Sequence, residues 1–244
     1  MDAMASLQLL GFGSNGWGAL LLVATLVTLA VTATALAIGA VLGAIVASAK
    51  LSGNLLLKTL GNVYTTVFRG VPELLIIYLI YFGGSSAVTS VGKWLGYEGF
   101  LGLPSFAAGA LAVGIISGAY QAEVFRGAYL AISKGELEAA SAIGMHSGLR
   151  LRRVIIPQVV RFAIPGLGNV WQLSLKDSAL ISVTGLAELM RTSQVAAGST
   201  RQYFLFFIVG GALYLILTSL SDRVFNRAER RANRSMPAAT IGQA

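Results

Sequence analysis

Charges are scarce in this chain of 244 residues, with eighteen basic and ten acidic side chains. The ones set among apolar neighbours are therefore the first candidates for chemistry. Glu73 lies in "FRGVPELL", four residues after Arg69, and Lys176 and Asp177 precede Ser178 in "LKDSALIS". A charge in hydrocarbon is costly unless it is paired or faces water, so such residues mark a solute path or a buried ion pair. Glu73 admits both readings. A carboxylate in low dielectric favours a cationic solute, because an opposite charge there is worth several times its value in water. Arg69 would instead neutralise it as a structural pair, with Pro72 distorting the helix between them. Lys176 and Asp177 either pair with neighbouring groups or gate a cavity, and Ser178 stands beside them on the same path. Tyr64, Tyr78 and Tyr81 read as core or interface aromatics rather than solute contacts.

Several chemistries are excluded by inventory. The chain has no cysteine and one histidine, His146. Thiolate nucleophiles, disulfides and multi-histidine metal centres therefore cannot form within it. No nucleophile and base stand at a suitable spacing, so enzymatic chemistry is not expected. The nearest approach to a phosphate-binding loop, "GNLLLKT" at Gly53 to Thr59, lacks the second glycine before its lysine, so the chain cannot hydrolyse ATP by itself. No internal repeat is visible, which counts against carriers that hold both inverted halves in one polypeptide.

The elements that must position these residues are membrane helices. The composition is 55% hydrophobic and 11% charged, outside the range of soluble domains. Asn15 to Ala49, Leu74 to Gly92, Gly99 to Ala122 and Gln202 to Ser221 are uncharged or nearly so and reach the ~18 residues that cross a hydrocarbon core. Val154 to Leu175 is a fifth, interrupted only by Arg161. Continuous apolar runs specify helices rather than barrel strands, so the expected fold is an all-α integral membrane bundle of about five spans, one domain over residues 1–244. No cleavable signal peptide is expected. If the second span ends near Gly83, Glu73 lies roughly 15 Å below it, close to the bilayer midplane. Gly39-x3-Gly43 and Gly114-x3-Gly118 fit helix packing, and Trp17 and Trp94 fit the outer interface.

A net charge of +8 raises nucleic acid as a partner, but placement removes it. Lys50 and Lys58; Arg126, Lys134, Arg150, Arg152 and Arg153; and Arg223, Arg227, Arg230, Arg231 and Arg234 fall in three segments on one face of a five-span chain. The positive-inside rule makes that face cytoplasmic, with the N-terminus periplasmic and the C-terminus cytoplasmic. The basic tail at 223–244 then meets anionic membrane lipid.

The polar stretch from Glu138 to Pro157, between the third and fourth spans, needs its own reason. Ser133 and Glu136 match a capping box that starts a helix near Lys134 and carries it through Leu137, Glu138, Ala139, Ala140 and Ile143. Gly144 and Gly148 interrupt it, a second short helix runs from Leu149 to Val154, and Pro157 re-aims the chain into the fourth span. Leu137, Ala140, Ser141 and Gly144 share a face of mostly small residues, which suits close approach by another protein. The alternative is a solvated loop.

Glu138-Ala139-Ala140, three residues, Gly144, nine residues and Val154-x-Ile156-Pro157 are similar to the E-A-A-x3-G-x9-I-x-L-P loop of ABC-importer permeases, with Val for Ile and Ile for Leu. "FRGVPELL", "GAYQAEVFRGAYLAISKGELEAA", "IPGLGN" and "LKDSALISVTGLAELM" extend the likeness over most of residues 50–200. The chain resembles the polar amino-acid permease family, and within it the permeases for histidine, lysine, arginine, ornithine, octopine and nopaline. That resemblance implies a type I importer bundle in the bacterial inner membrane. It implies as partners a second, homologous permease chain, an ABC ATPase dimer that uses ATP and Mg, and a periplasmic solute-binding protein. The chain itself would hold no cofactor, and its cargo would be a cationic amino acid or an opine. The segment at about 133–157 becomes a coupling helix that meets the ATPase through Glu138, Ala139, Ala140, Gly144 and Pro157. The competing reading from the residues is a secondary transporter or channel for small polar solutes.

Overall fold

The computed structural model describes residues 8–13 and 16–233. Asn15 and the end of the basic tail, including Arg234, lie outside the described residues. Helix α1 spans Gly18–Leu51, α2 Leu55–Gly70, α3 Glu73–Trp94, α4 Ser105–Leu130, α5 Lys134–Ala142, α6 Ser147–Thr184, α7 Leu189–Thr200 and α8 Tyr203–Ala232. No strand occurs among the described residues. Five of these helices, α1, α3, α4, α6 and α8, are long and apolar enough to cross a membrane. Each holds most of one expected apolar run, though residues 99–104 of the third run are irregular and precede α4. Successive spans alternate in direction, so the end of α1, the start of α2, the end of α4, α5 and the end of α8 gather at one basic end.

Helices α1 and α4 form the central pair, and glycines set their distance. A Cβ on Gly39 would run into Ser117 Oγ and Gln121 Nε2, one on Gly43 would lie 3.1 Å from the Ala122 backbone nitrogen, and one on Gly114 would meet Ile38. Both small-residue motifs therefore face the same crossing, where backbones approach too closely for larger side chains. Tyr64 of α2 then donates to the Ile115 carbonyl at 2.7 Å, across the Gly118 surface. Beside this seam Val31, Ala35, Ile77, Ala110, Ala112, Val113 and Ile181 form one buried cluster.

Helix α6 is a single rod of 38 residues. It opens on Ser147–Arg150, passes through a π-helical turn at Leu151–Ile155, continues as α-helix from Ile156 to Asp177 and tightens to a 3₁₀-helix at Ser178–Thr184. The expected break at Pro157 is absent. Proline has no N–H for the Arg153 carbonyl, and the chain answers by widening one turn, with the Ile156 N–H donating to Leu151, rather than by ending the helix. Pro165 likewise sits inside the helix. Helix α3 runs past Gly83 to Trp94, as the apolar run from Leu74 to Gly92 predicts, and the condition of an end at Gly83, on which the expected depth of Glu73 rests, is not met.

At the other end, Glu188 caps α7. Its carboxylate accepts the Met190 and Arg191 N–H groups at 2.8 and 2.6 Å and the Tyr214 hydroxyl at 3.1 Å. Thr28 of α1 accepts the Leu189 N–H at 3.1 Å. These bonds pin α7 between α1 and α8. Burial pushes the Glu188 carboxyl up, and the two cap bonds and Tyr214 act against that rise.

Candidate functional site

The predicted path residues come together, though not as an ion pair. Helix α2 ends at Gly70 and α3 begins at Glu73, because Pro72 cannot continue a helix and holds Val71 extended. The break takes Glu73 and Arg69 off the i, i+4 spacing of a single helix. The two make no ion pair, and the Arg69 guanidinium instead lies over the Tyr120 ring, 5.3 Å from its centroid, a cation–π contact. The first turn of α3 packs on α4 and on the 3₁₀ end of α6, which puts Glu73, Tyr120 and Asp177 within electrostatic reach of one another. Three elements thus converge, α2 and α3 at their junction, the middle of α4 and the end of the α-helical part of α6. Tyr120 lies about 15 Å along α4 from its end at Leu130, which sets Glu73 well inside the bundle by its neighbours.

Asp177 is buried, Glu73 half-buried and Lys176 exposed. Two carboxylates near one another in a low-dielectric setting repel, and together they draw a cation more strongly than either alone. Ser178 is buried beside them, and its hydroxyl donates to the Leu175 carbonyl at 2.7 Å, so it serves the tightened helix turn.

Toward the basic end, Lys50 contacts the Glu123 carboxylate and donates to Thr65 Oγ1 at 2.9 Å, and Arg126 Nε donates to Glu123 at 2.9 Å. These residues went unremarked as path candidates. The signal was present in "LLLKTLGNVYTTVFRG", where Lys58, Asn62, Thr65, Thr66 and Arg69 fall on one helical face. Reading that segment as an inter-span connection hid it.

The segment after the third span forms helix α5, which ends at Ala142, one residue before the expected Ile143, and is closed at Gly144 as expected. There φ is +80°, and the Gly144 and Met145 N–H groups bond to the Ser141 and Ala140 carbonyls at 3.0 and 3.1 Å. This is a Schellman closure, which requires a left-handed residue. The capping box at its start is not formed. Ser133 occupies the N-cap position without a side-chain bond, and Glu136 instead accepts from Gln158 Nε2 of α6 at 2.6 Å. The expected small-residue face also divides. Ala140 is buried, Ser141 holds Arg150 of α6, and the surface open to a partner carries Glu138, Ala139, Ala142, Gly144 and Ile143, which is 73% exposed. Pro157 is exposed in the first turn after the π-helical turn.

Comparison with known proteins gives a consistent picture. Residues 39–234 match the model of the family described as binding-protein-dependent transport system inner membrane component. The octopine transport system permease protein OccQ of Rhizobium meliloti is 52% identical over 96% of this chain and 98% of its own. The histidine/lysine/arginine/ornithine transport system permease protein HisQ of Escherichia coli is 39% identical over 88% of this chain and 94% of its own. A solved amino acid ABC transporter with histidines superposes with a TM-score of 0.76 at 32% identity, covering 95% of this chain and 99% of its counterpart.

Proposed function

The chain belongs to the binding-protein-dependent transport system inner membrane component family, and from that premise we propose that it forms the path for a cationic amino acid or an opine derived from one. It is a non-catalytic permease subunit of an ABC importer in the bacterial inner membrane. That membership sets aside the carrier or channel reading. The observation that carries the choice of solute is the convergence of Glu73 and Asp177 beside Tyr120. The names of the relatives, octopine and histidine/lysine/arginine/ornithine permeases, support the same class.

The partners follow the importer plan: a second homologous permease, a dimeric ATPase that consumes ATP with Mg, and a periplasmic solute-binding protein. The basic end, with Lys134 on α5 and the arginines of α6 and α8, faces the cytoplasm and the anionic leaflet. There α5 seats on the ATPase through Glu138, Ala139 and Gly144, with Ile143 as an apolar anchor, while Gln158 and Arg150 of α6 hold it through Glu136 and Ser141. ATP binding closes the ATPase dimer, and rocking of α5 opens the cavity alternately to the two sides.

The test is Glu73→Gln in the complete importer. Loss of a charge-assisted contact of about 1.5–3 kcal/mol lowers arginine or lysine uptake roughly ten- to a hundredfold, with assembly and basal ATP hydrolysis retained. Unchanged arginine uptake in a well-assembled Glu73→Gln complex sinks the solute role of Glu73.

A further inference from the structure

Across Arg69 from Glu73 and Asp177 lies a cavity of opposite character. It measures about 310 Å³ and is lined by Lys50, Asn62, Thr65, Thr66, Arg69 and Glu123. Three helices build it: the end of α1, the polar face of α2 and the second half of α4. Arg69 is the hinge between the two regions, because it lines the cavity and also stacks on Tyr120, which feels both Glu73 and Asp177.

The cavity is short of negative charge. Lys50 and Arg69 line it and Arg126 stands behind Glu123, so three cations share one carboxylate. Glu123 is engaged by Lys50 and Arg126. Arg69 has no carboxylate within ion-pair distance, and the Asn62 amide and Thr66 hydroxyl have no hydrogen-bond partner among the described residues. Arg69, Asn62 and Thr66 are exposed at the open side of the cavity, and an arginine there without a carboxylate faces water or an anion. The free groups there are the Arg69 guanidinium, the Asn62 amide and the Thr66 hydroxyl, and the Lys50 ammonium, already on Glu123 and Thr65, has a third donor to offer. Planar, bidentate donors of this kind match a carboxylate.

We infer that this cavity receives the carboxylate end of the transported solute, through Arg69 and Lys50 with Thr66 and Asn62, while the cationic end faces Glu73 and Asp177. The inference rests on the proposed solute class and adds to it. A path with carboxylates at one station and cations at the next accepts a zwitterion lengthwise and offers nothing to the anion-free end of a simple amine. Two cations at the receiving station also suit an opine, which carries a second carboxylate on its α-nitrogen.

The experiment is direct binding to the complete permease–ATPase complex in lipid nanodiscs without binding protein, so that the permease alone selects. Radiolabelled arginine is displaced by unlabelled arginine, octopine and agmatine, the last being arginine without its carboxylate. Wild type binds arginine and octopine at least tenfold more tightly than agmatine. Thr66→Val, a surface change that adds no volume, and Lys50→Met, which leaves Glu123 its Arg126 partner, weaken arginine and octopine about five- to tenfold and agmatine less than twofold. Lys50→Arg restores binding. Equal weakening of all three ligands, or arginine binding untouched by both variants, overturns the carboxylate site while leaving the proposed solute class standing. Wild-type complex that binds neither arginine nor octopine overturns that class and this site together.

Discussion

Replacing Gly144 separates the shape of the coupling helix from contact with its partner. The residue sits at φ +80°, and an added Cβ meets nothing within 4 Å in this chain. Gly144→Ala therefore introduces no clash within the permease, and its cost is conformational, about 1–2 kcal/mol for an L-residue in the left-handed region. That energy acts on the closure of the last turn, the bonds from Gly144 to Ser141 and from Met145 to Ala140, and shifts the closed-to-frayed ratio about five- to thirtyfold. Asparagine tolerates the conformation better, so Gly144→Asn costs less. Tryptophan has the same backbone penalty as alanine, and any additional loss reports the ATPase surface lying against it. The assay is co-purification of the ATPase with the permease, together with ATP hydrolysis stimulated by solute-loaded binding protein. The expected order of retained coupling is Gly, Asn, Ala, Trp. Alanine performing as well as glycine refutes the role of the left-handed closure, and tryptophan performing as well as alanine refutes the seating of Gly144 against the ATPase.

Gly43→Ile forces apart the α1–α4 crossing, where a single Cβ would already lie 3.1 Å from the Ala122 nitrogen; it lowers stability by at least 1–3 kcal/mol, read as an earlier thermal transition in detergent. Glu188→Ala removes the α7 cap and the Tyr214 bond and costs about 1–2 kcal/mol, whereas Glu188→Gln, which keeps an acceptor oxygen, costs less in the same unfolding assay. Glu136→Ala frees Gln158 and loosens the tie between α5 and α6, so binding-protein-stimulated ATP hydrolysis persists while solute uptake per ATP falls.

Most of the bundle was legible because a span is written in continuous hydrophobicity, and each of the five apolar runs supplied most of a helix. The boundaries were less legible. Pro157 reads as a break in isolation, but a π-helical turn absorbs the missing hydrogen bond and the helix runs on. The capping box at Ser133 failed for a related reason: the Glu136 carboxylate found a tertiary partner in Gln158, which no local rule anticipates. At the path, the importance of Glu73 could be read from its acidity among apolar neighbours, but not its neighbours in space. Asp177 lies more than a hundred residues away in sequence, and only the packing of α3 and α6 on α4 brings the two within electrostatic reach. Arg69, four residues from Glu73, is the nearer candidate by helical spacing. The extended Val71–Pro72 link destroys that spacing, and Tyr120 takes the guanidinium.

The same packing explains how an event at the basic end reaches the path. Helix α5 is tied to α6 twice, by Gln158 to Glu136 and by Arg150 to Ser141, so the short helix cannot turn without displacing the base of the rod. From Ser147 to Asp177 the rod is helical throughout, a distance of about 45 Å at 1.5 Å per residue. A helix of this kind transmits a tilt where a loop would absorb it. Its π-helical turn and Pro165 supply the places where bending costs least. On the function proposed above, a movement of α5 against the ATPase changes the separation between Asp177 on α6 and Glu73 on α3, because the two carboxylates stand on different spans. Separated, they bind a cation less strongly than when they converge, which links the closing of the ATPase to release of the solute.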